Sequence, residues 1–312
     1  MHASTNTSHP LRLGLLLGAA MLAATGTAAA REPGAPYAYA PGSSLGIPAG
    51  ANPPPGFWLE DTSGITEVQN TDPFMSAVNG AKVTAVVTAP RFIWSLPGNF
   101  HGVTEMGFVV FPMVNTSVSN LPPPNPKGTF TKAAFANPGI TPINLSWSPA
   151  PNLFITTAFG FFPPVGQYSK TSLVNVGNNF WTIQPETSIS YLGNGYNLTA
   201  HALYDFNTKN NATDYTSGDQ LFLDLTAAKH FGKWEAGAVG FYDTQFTSDS
   251  NTGNFYGPGH PTFGAPHEIA MGALLAYDFG PLTATGYFTR TLTASDSGAD
   301  GTSVSLRLFF PL

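Results

Sequence analysis

The most constraining feature of this chain is an alternation of period two that recurs between connections of two very different lengths. In Tyr196–Asn207, "YNLTAHALYDFN", Tyr196, Leu198, Ala200, Ala202, Tyr204 and Phe206 share one parity. Asn197, Thr199, His201, Asp205 and Asn207 share the other, interrupted only by Leu203. "DQLFLDLTAAK" sets Leu221, Leu223, Leu225 and Ala227 against Gln220, Asp224 and Thr226. "HEIAMGALLAYDF" sets Ile269, Met271, Ala273, Leu275, Tyr277 and Phe279 against Glu268, Ala270, Gly272 and Asp278. The closing stretch "SVSLRLFFPL" places Val304, Leu306, Leu308, Phe310 and Leu312 opposite Ser303, Ser305 and Arg307. Strand side chains point alternately to two faces, so this period predicts strands lying between an apolar and a polar surrounding.

The connections decide which strands neighbour which. "LGNG" after Tyr191, "HFGK" after Lys229 and "GP" after Phe279 are tight turns. They alternate with the long polar connections "TKNNATDYTSG", "TSDSNTGNFYGPGHPTFGAP" and "TASDSGADG". Short and long in turn is the ladder of an up-and-down antiparallel barrel, with turns at one rim and loops at the other. Extended towards the N-terminus, the pattern gives twelve strands, near 57–69, 82–94, 103–114, 139–148, 152–162, 179–192, 196–207, 218–229, 234–246, 267–279, 282–292 and 302–312. An even count is the rule for bacterial outer-membrane barrels. A soluble sandwich or lipocalin-like barrel also alternates, but it needs a polar exterior. Here Trp147, Tyr191, Tyr196, Trp234, Tyr277 and Phe279 sit on the apolar parity beside the short turns, where an interfacial aromatic girdle falls. The opposite parity is too polar and small to fill a dry core. The predicted fold is therefore an all-β transmembrane barrel over 57–312, its last strand closing on its first with the apolar side towards lipid.

Composition agrees. Charged residues make up 10% of the 312, against about 25% in ordinary soluble domains. With 18 acidic and 12 basic residues and no basic cluster, a nucleic-acid partner is not expected. The absence of cysteine excludes disulfides, thiolate metal sites and lipidation of an N-terminal cysteine. At the N-terminus, Arg12, an apolar run to about Ala24 and Ala28-Ala29-Ala30 form the three parts of a secretory signal, so residues 1–30 are expected to be cleaved on export through the general secretory pathway. Residues 31–56, "REPGAPYAYAPGSSLGIPAGANPPPG", have no period. They fit either a periplasmic tail or a plug threaded through the barrel, in which Tyr37, Tyr39 and Ile47 would face the lumen.

The segment "NVGNNFWTIQPETSISYL", the longer "ALYDFNTKNNATDYTSGDQLFLDLTAAKHFGKWEAGAVGFY" and the stretch "PPPGFWLE" resemble the meta-pathway phenol-degradation family of outer-membrane transporters. The resemblance implies a Gram-negative outer-membrane barrel, associated with the metabolism of aromatic or hydrophobic compounds. The apolar alternation back from Leu312 is similar to the C-terminal signal read by the barrel assembly machinery, with Phe310 two residues before the end instead of a terminal Phe.

No phosphate loop or dinucleotide fingerprint is present. Outer-membrane phospholipases and lipid A deacylases resemble one another in carrying His-x-Ser on a strand, and no histidine after residue 30 has serine two residues on, so an enzyme is not expected. Scattered histidines and the spacing of Asp205, Asp214, Asp219 and Asp224 make no metal loop, and no cofactor is called for. By parity, Glu186, His201, Asp205, Asp224, Glu235, Asp243 and Glu268 face the lumen, because a charge on the lipid face costs a few kcal/mol. They are either solvated wall residues paired with Arg290, Arg307 or backbone, or an acidic ring that sets selectivity. The expected function is passive uptake of small hydrophobic or aromatic compounds, with outer-membrane lipid as the surrounding partner. The rival is a non-conducting structural or adhesive barrel binding a partner through loops such as 247–266.

Overall fold

The computed structural model describes residues 29–30, 32, 34–70, 82–99, 101–120, 128–172, 175–260, 262–264, 267–295 and 299–312. All but the last two residues of the expected leader lie outside these. The described residues form strands and turns without a helix, and twelve antiparallel wall strands close into a barrel. They are β1 Gly56–Asn70, β2 Lys82–Ser95, β3 in two pieces Val103–Val110 and Met113–Ser119, and β4 in two pieces Phe130–Phe135 and Gly139–Ala150. Then follow β5 Leu153–Phe162, β6 Thr182–Tyr191, β7 Tyr196–Asn207 and β8 Gln220–Phe231. The last four are β9 Trp234–Gln245, β10 His267–Asp278, β11 Thr283–Ser295 and β12 Ala299–Pro311.

Sequential strands pair throughout, and the ring is sealed by β12 on β1. That ladder runs from Pro311 opposite Trp58 to Ala299 opposite Asn70. Closure leaves no sheet edge facing hydrocarbon, where an unpaired amide costs several kcal/mol. The expected strand count and the sealing role of the C-terminal strand both hold. Two boundaries differ from the sequence reading by more than three residues. The third strand continues past 114 to Ser119, and the fourth begins at Phe130 rather than 139. Pro112 and Pro138 have no amide to donate, so each interrupts its strand locally. The ladder survives the first break, because Phe111 N–H reaches Pro90 O and Ala136 N–H reaches Pro112 O, at 3.0 and 2.9 Å.

Burial follows the parity. On β6, Thr182, Gln184, Glu186, Ser188 and Ser190 are all buried, while Ile183 and Ile189 between them are exposed. Exposed Leu198, Leu225, Met271, Leu275, Val304 and Leu306 continue the outer apolar surface around the wall. At the short-turn rim, Trp234, Tyr277 and Phe279 stack in sequence, with ring centroids 4.6 Å apart at each step. At the opposite rim, Tyr215–Thr216 pair with Ser250–Asn251, and Ala29–Ala30 pair with Phe263–Gly264. The second pairing places the last two residues of the expected leader among the long loops, although β1 begins at the short-turn rim. The protein is a closed β-barrel with its interior occupied by its own N-terminal residues.

The inside-out pattern predicts asymmetric tolerance. Leu306→Arg, on the lipid side near the middle of β12, should cost about 2–4 kcal/mol in refolding into lipid vesicles followed by heat-modifiable gel mobility. Ser305→Arg, one residue away on the lumen side, should refold with less than half that loss.

Candidate lumen site

The inward parity of β6 to β12 presents polar side chains to a column that would otherwise be water. Residues 32–55 run along that column, so the site is built from hydrogen bonds between this inner segment and the wall. Near the short-turn rim, Ser95 Oγ donates to Pro53 O (2.8 Å), and Asn52 Nδ2 donates to Thr104 O and Asn144 O (3.2 and 3.3 Å). Gly50 is held from both sides: its amide donates to Ser190 Oγ (2.9 Å), and its carbonyl accepts from Ser146 Oγ (2.7 Å). Halfway up, Gly46 N–H donates to Thr226 Oγ1 (2.8 Å), and Arg307 donates from Nη1 to Leu45 O (2.6 Å) and from Nη2 to Ser43 O (2.5 Å).

Asp224 is the densest anchor. Its carboxylate accepts from Gly42 N–H (3.1 Å), Ser44 N–H (3.0 Å), Ser44 Oγ (2.7 Å) and Tyr39 OH (2.6 Å). Hydrogen bonds to a charged group contribute about 1.5–3 kcal/mol each, so one aspartate supplies much of the local hold. Gly42 makes this approach feasible: it sits at φ +77°, and a Cβ there would lie 2.8 Å from the Phe241 ring. Next to it, His201 bridges wall and segment, Nδ1 to Ser44 Oγ and Nε2 to Glu186 Oε2, both at 2.9 Å. Serine, histidine and glutamate thus stand in a row. The Ser44 hydroxyl, however, donates to Asp224, and the two nearest amides, of Gly42 and Ser44, are also turned to that carboxylate. The row is arranged as a clasp, without a free oxyanion-binding pair.

Higher still, Tyr37 OH donates to Asp243 Oδ2 (2.9 Å), and the rings of Tyr37 and Tyr39 flank fully buried Phe222 at 5.6 and 5.2 Å. At the loop rim, Glu32 is 2% exposed and ties several connections together. It accepts from Asn210 Nδ2 (2.9 Å), Thr213 Oγ1 (2.6 Å) and Tyr256 OH (2.9 Å), while its amide donates to Ser217 Oγ (3.0 Å). Burial, followed by the charge of Glu32, pushes the Tyr256 phenol upward from its ordinary 10.0. Burial is also the largest cause raising Tyr168, whose oxygen accepts from Asn210 Nδ2.

The expected lumen residues divide by partner. Asp224, Asp243 and His201 contact the inner segment directly, with Glu186 behind His201. Asp205 accepts from wall Gln184 (2.6 Å), Glu235 from wall Asn197 (3.2 Å) and Glu268 from wall Thr291 (2.5 Å). Arg307 meets the segment's carbonyls, whereas Arg290 pairs with Asp300 (2.8 Å), both half-exposed. Ile47 is half-buried, and its amide closes a turn on Ser44 O. Sequence reasoning missed Ser44, Gly42 and Glu32. Their partners lie about 180 positions away, and no local spacing encodes them.

Residues 63–308 match the family described as "Putative MetA-pathway of phenol degradation". The chain belongs to this family. The fold is similar to the crystal structure of the COG4313 outer membrane channel from Pseudomonas putida F1, with TM-score 0.68 at 11% identity, covering 84% of this chain and 97% of that one. The transport unit of the autotransporter AIDA-I from Escherichia coli scores 0.48 at 9% identity, covering 82% and 90%. The translocator domain of autotransporter NalP from Neisseria meningitidis scores 0.45 at 10% identity, covering 84% and 90%. Neither autotransporter likeness is close enough to carry weight. A search of curated proteins gave no match.

Two outcomes test the clasp. Asp224→Asn removes the charge from four hydrogen bonds at constant volume, and limited proteolysis should cut between residues 37 and 47 at least about tenfold faster than in the parent, since a loss near 1.4 kcal/mol is tenfold. The raised Tyr256 phenol keeps its proton in the docked state. Its contribution is therefore whole below pH 10.0 and is lost as pH rises through the higher folded value. Release of the segment should increase as pH rises above 10.0, and Tyr256→Phe, which lacks the bond at every pH, should show a smaller alkaline step in the same proteolysis assay.

Proposed function

We propose that this protein is an outer-membrane channel for passive uptake of small hydrophobic or aromatic compounds, and that residues 31–56 plug its idle lumen. The observation that carries the reading is the series of non-covalent contacts between the inner segment and the wall, from Pro53 at the short-turn rim to Glu32 at the loop rim. A structural barrel has no need for a displaceable filling along its whole axis, whereas a gated path does. The contacts are hydrogen bonds and the side chains of Leu45, Tyr37 and Tyr39 on apolar wall residues, each worth about 1–3 kcal/mol, so the filling can leave stepwise without unfolding the wall. The phenol-degradation family description supports aromatic compounds as the class carried, and the Pseudomonas putida relative named as a channel supports conduction.

In this reading the acidic wall has two uses. Asp224 and Asp243 hold the plug while it is docked, and with Glu186 and Asp205 they line the path once it has moved. Solute movement is downhill and needs no energy source or cofactor, and the barrel is not an enzyme. Export by the general secretory route, and insertion by the barrel assembly machinery through β12, belong to the same proposal.

The deciding experiment is single-channel conductance of the refolded mature protein in planar bilayers, with and without residues 31–56. The deletion should raise conductance at least severalfold and admit toluene into protein-loaded liposomes. No conductance in either form, from barrels verified as folded by gel mobility, would overturn the channel and favour adhesion through the 247–266 loop.

A further inference from the structure

Most side chains that the wall turns toward the inner segment are polar, and apolar ones gather in places, Phe222 against Tyr37 and Tyr39 and a second group against Leu45. Ala228 of β8, Val239 of β9, Leu274 of β10 and Tyr287 of β11 all lie on the lumen parity, where polar residues prevail, and Phe241 packs beside them. Each of the first four is buried, and what buries them is Leu45, itself fully enclosed. The backbone of the same residue is held at the edge of this pocket: Leu45 O accepts from Arg307 Nη1 at 2.6 Å. Arg307 is fixed in turn, its guanidinium 5.1 Å from the Tyr287 ring centre and its Nε bonded to Thr62 Oγ1 at 3.2 Å.

From this geometry we infer that the pocket is a binding site for a small monocarboxylate with a compact apolar body, and that Leu45 is its tethered stand-in. Side chain and carbonyl of Leu45 together form a 4-methylpentanoyl group, an isobutyl body with an oxygen acceptor two carbons further on. The apolar body enters the Val239, Leu274 and Tyr287 floor, and the oxygen meets Arg307. A carboxylate head suits the guanidinium of Arg307, whose Nη1 and Nη2 are occupied by the Leu45 and Ser43 carbonyls while the segment is docked. Arg307 also shares the carboxylate of Glu60 with Arg91, at 3.7 and 3.3 Å. An emptied pocket would otherwise leave apolar surface in water and guanidinium donors without acceptors, and both are costly. A ligand that replaces Leu45 stabilises the displaced state of the segment, so occupancy and opening are coupled.

This site rests on the reading of the lumen as a solute path, and the test separates the two. The probe is 4-methylpentanoate, titrated by calorimetry into the detergent-solubilised full mature chain, with toluene (no head) and acetate (no body) as controls. Leu45→Ala removes the competitor and should bind the probe at least about tenfold tighter than the parent, in proportion to the freed fraction of sites. Toluene and acetate should bind the same variant far more weakly. Adding Val239→Phe, which fills the floor, should abolish the gain while gel mobility shows an intact barrel. Equal binding by parent, Leu45→Ala and the double variant, or no binding in any, would overturn the site. Toluene entry through the 31–56 deletion without probe binding would sink this pocket alone. Probe binding without solute entry would sink the uptake reading and leave the pocket standing.

Discussion

Everything in this molecule depends on the backbone hydrogen bond between β12 and β1. Hydrocarbon offers no partner for an orphaned amide, so a spanning sheet survives only when its last strand finds its first. That single ladder, from Ala299 on Asn70 to Pro311 on Trp58, turns an open sheet into a tube. Once the tube exists, one parity of each strand must be apolar and the other faces an enclosed column. The wall is thereby committed to carry its charges inward, where they must be either hydrated or bonded.

The inner segment answers that second requirement. Asp224, Asp243, His201 and Arg307 point into a space too narrow to be treated as bulk water, and residues 32–55 supply the amides, hydroxyls and carbonyls that satisfy them. The arrangement is stable because the bonds are many, and displaceable because none is covalent. Apolar contacts punctuate this polar column, Tyr37 and Tyr39 against Phe222 and Leu45 against Val239, Leu274 and Tyr287. The second group lies beside Arg307, which also holds the Leu45 carbonyl.

Much of the wall was legible in the sequence. Alternation in "YNLTAHALYDFN" assigned Leu198 and Phe206 outward and His201 and Asp205 inward, and turn length assigned the rims. The breaks were less legible. Pro112 lies inside an expected strand and Pro138 just outside one, yet the wall continues across both, because neighbouring strands supply the ladder that the prolines cannot. Beyond Pro112 the alternation also weakens, with Asn115 and Met113 exposed and Val114 half-buried, so the parity that marks lipid-facing strands gave no signal there.

By itself the sequence determined the fold class, the inward set of carboxylates and the location of the irregular stretch 31–56. Period two is a property of the chain and requires no partner to be seen. Only the tertiary structure decided what those carboxylates hold. Ser44 meets His201, Glu32 meets Tyr256 and Leu45 meets Leu274 across separations of well over a hundred residues. Those pairings exist because barrel closure places a dozen strands around one axis, and no local pattern in a linear chain records which side chains will share that axis.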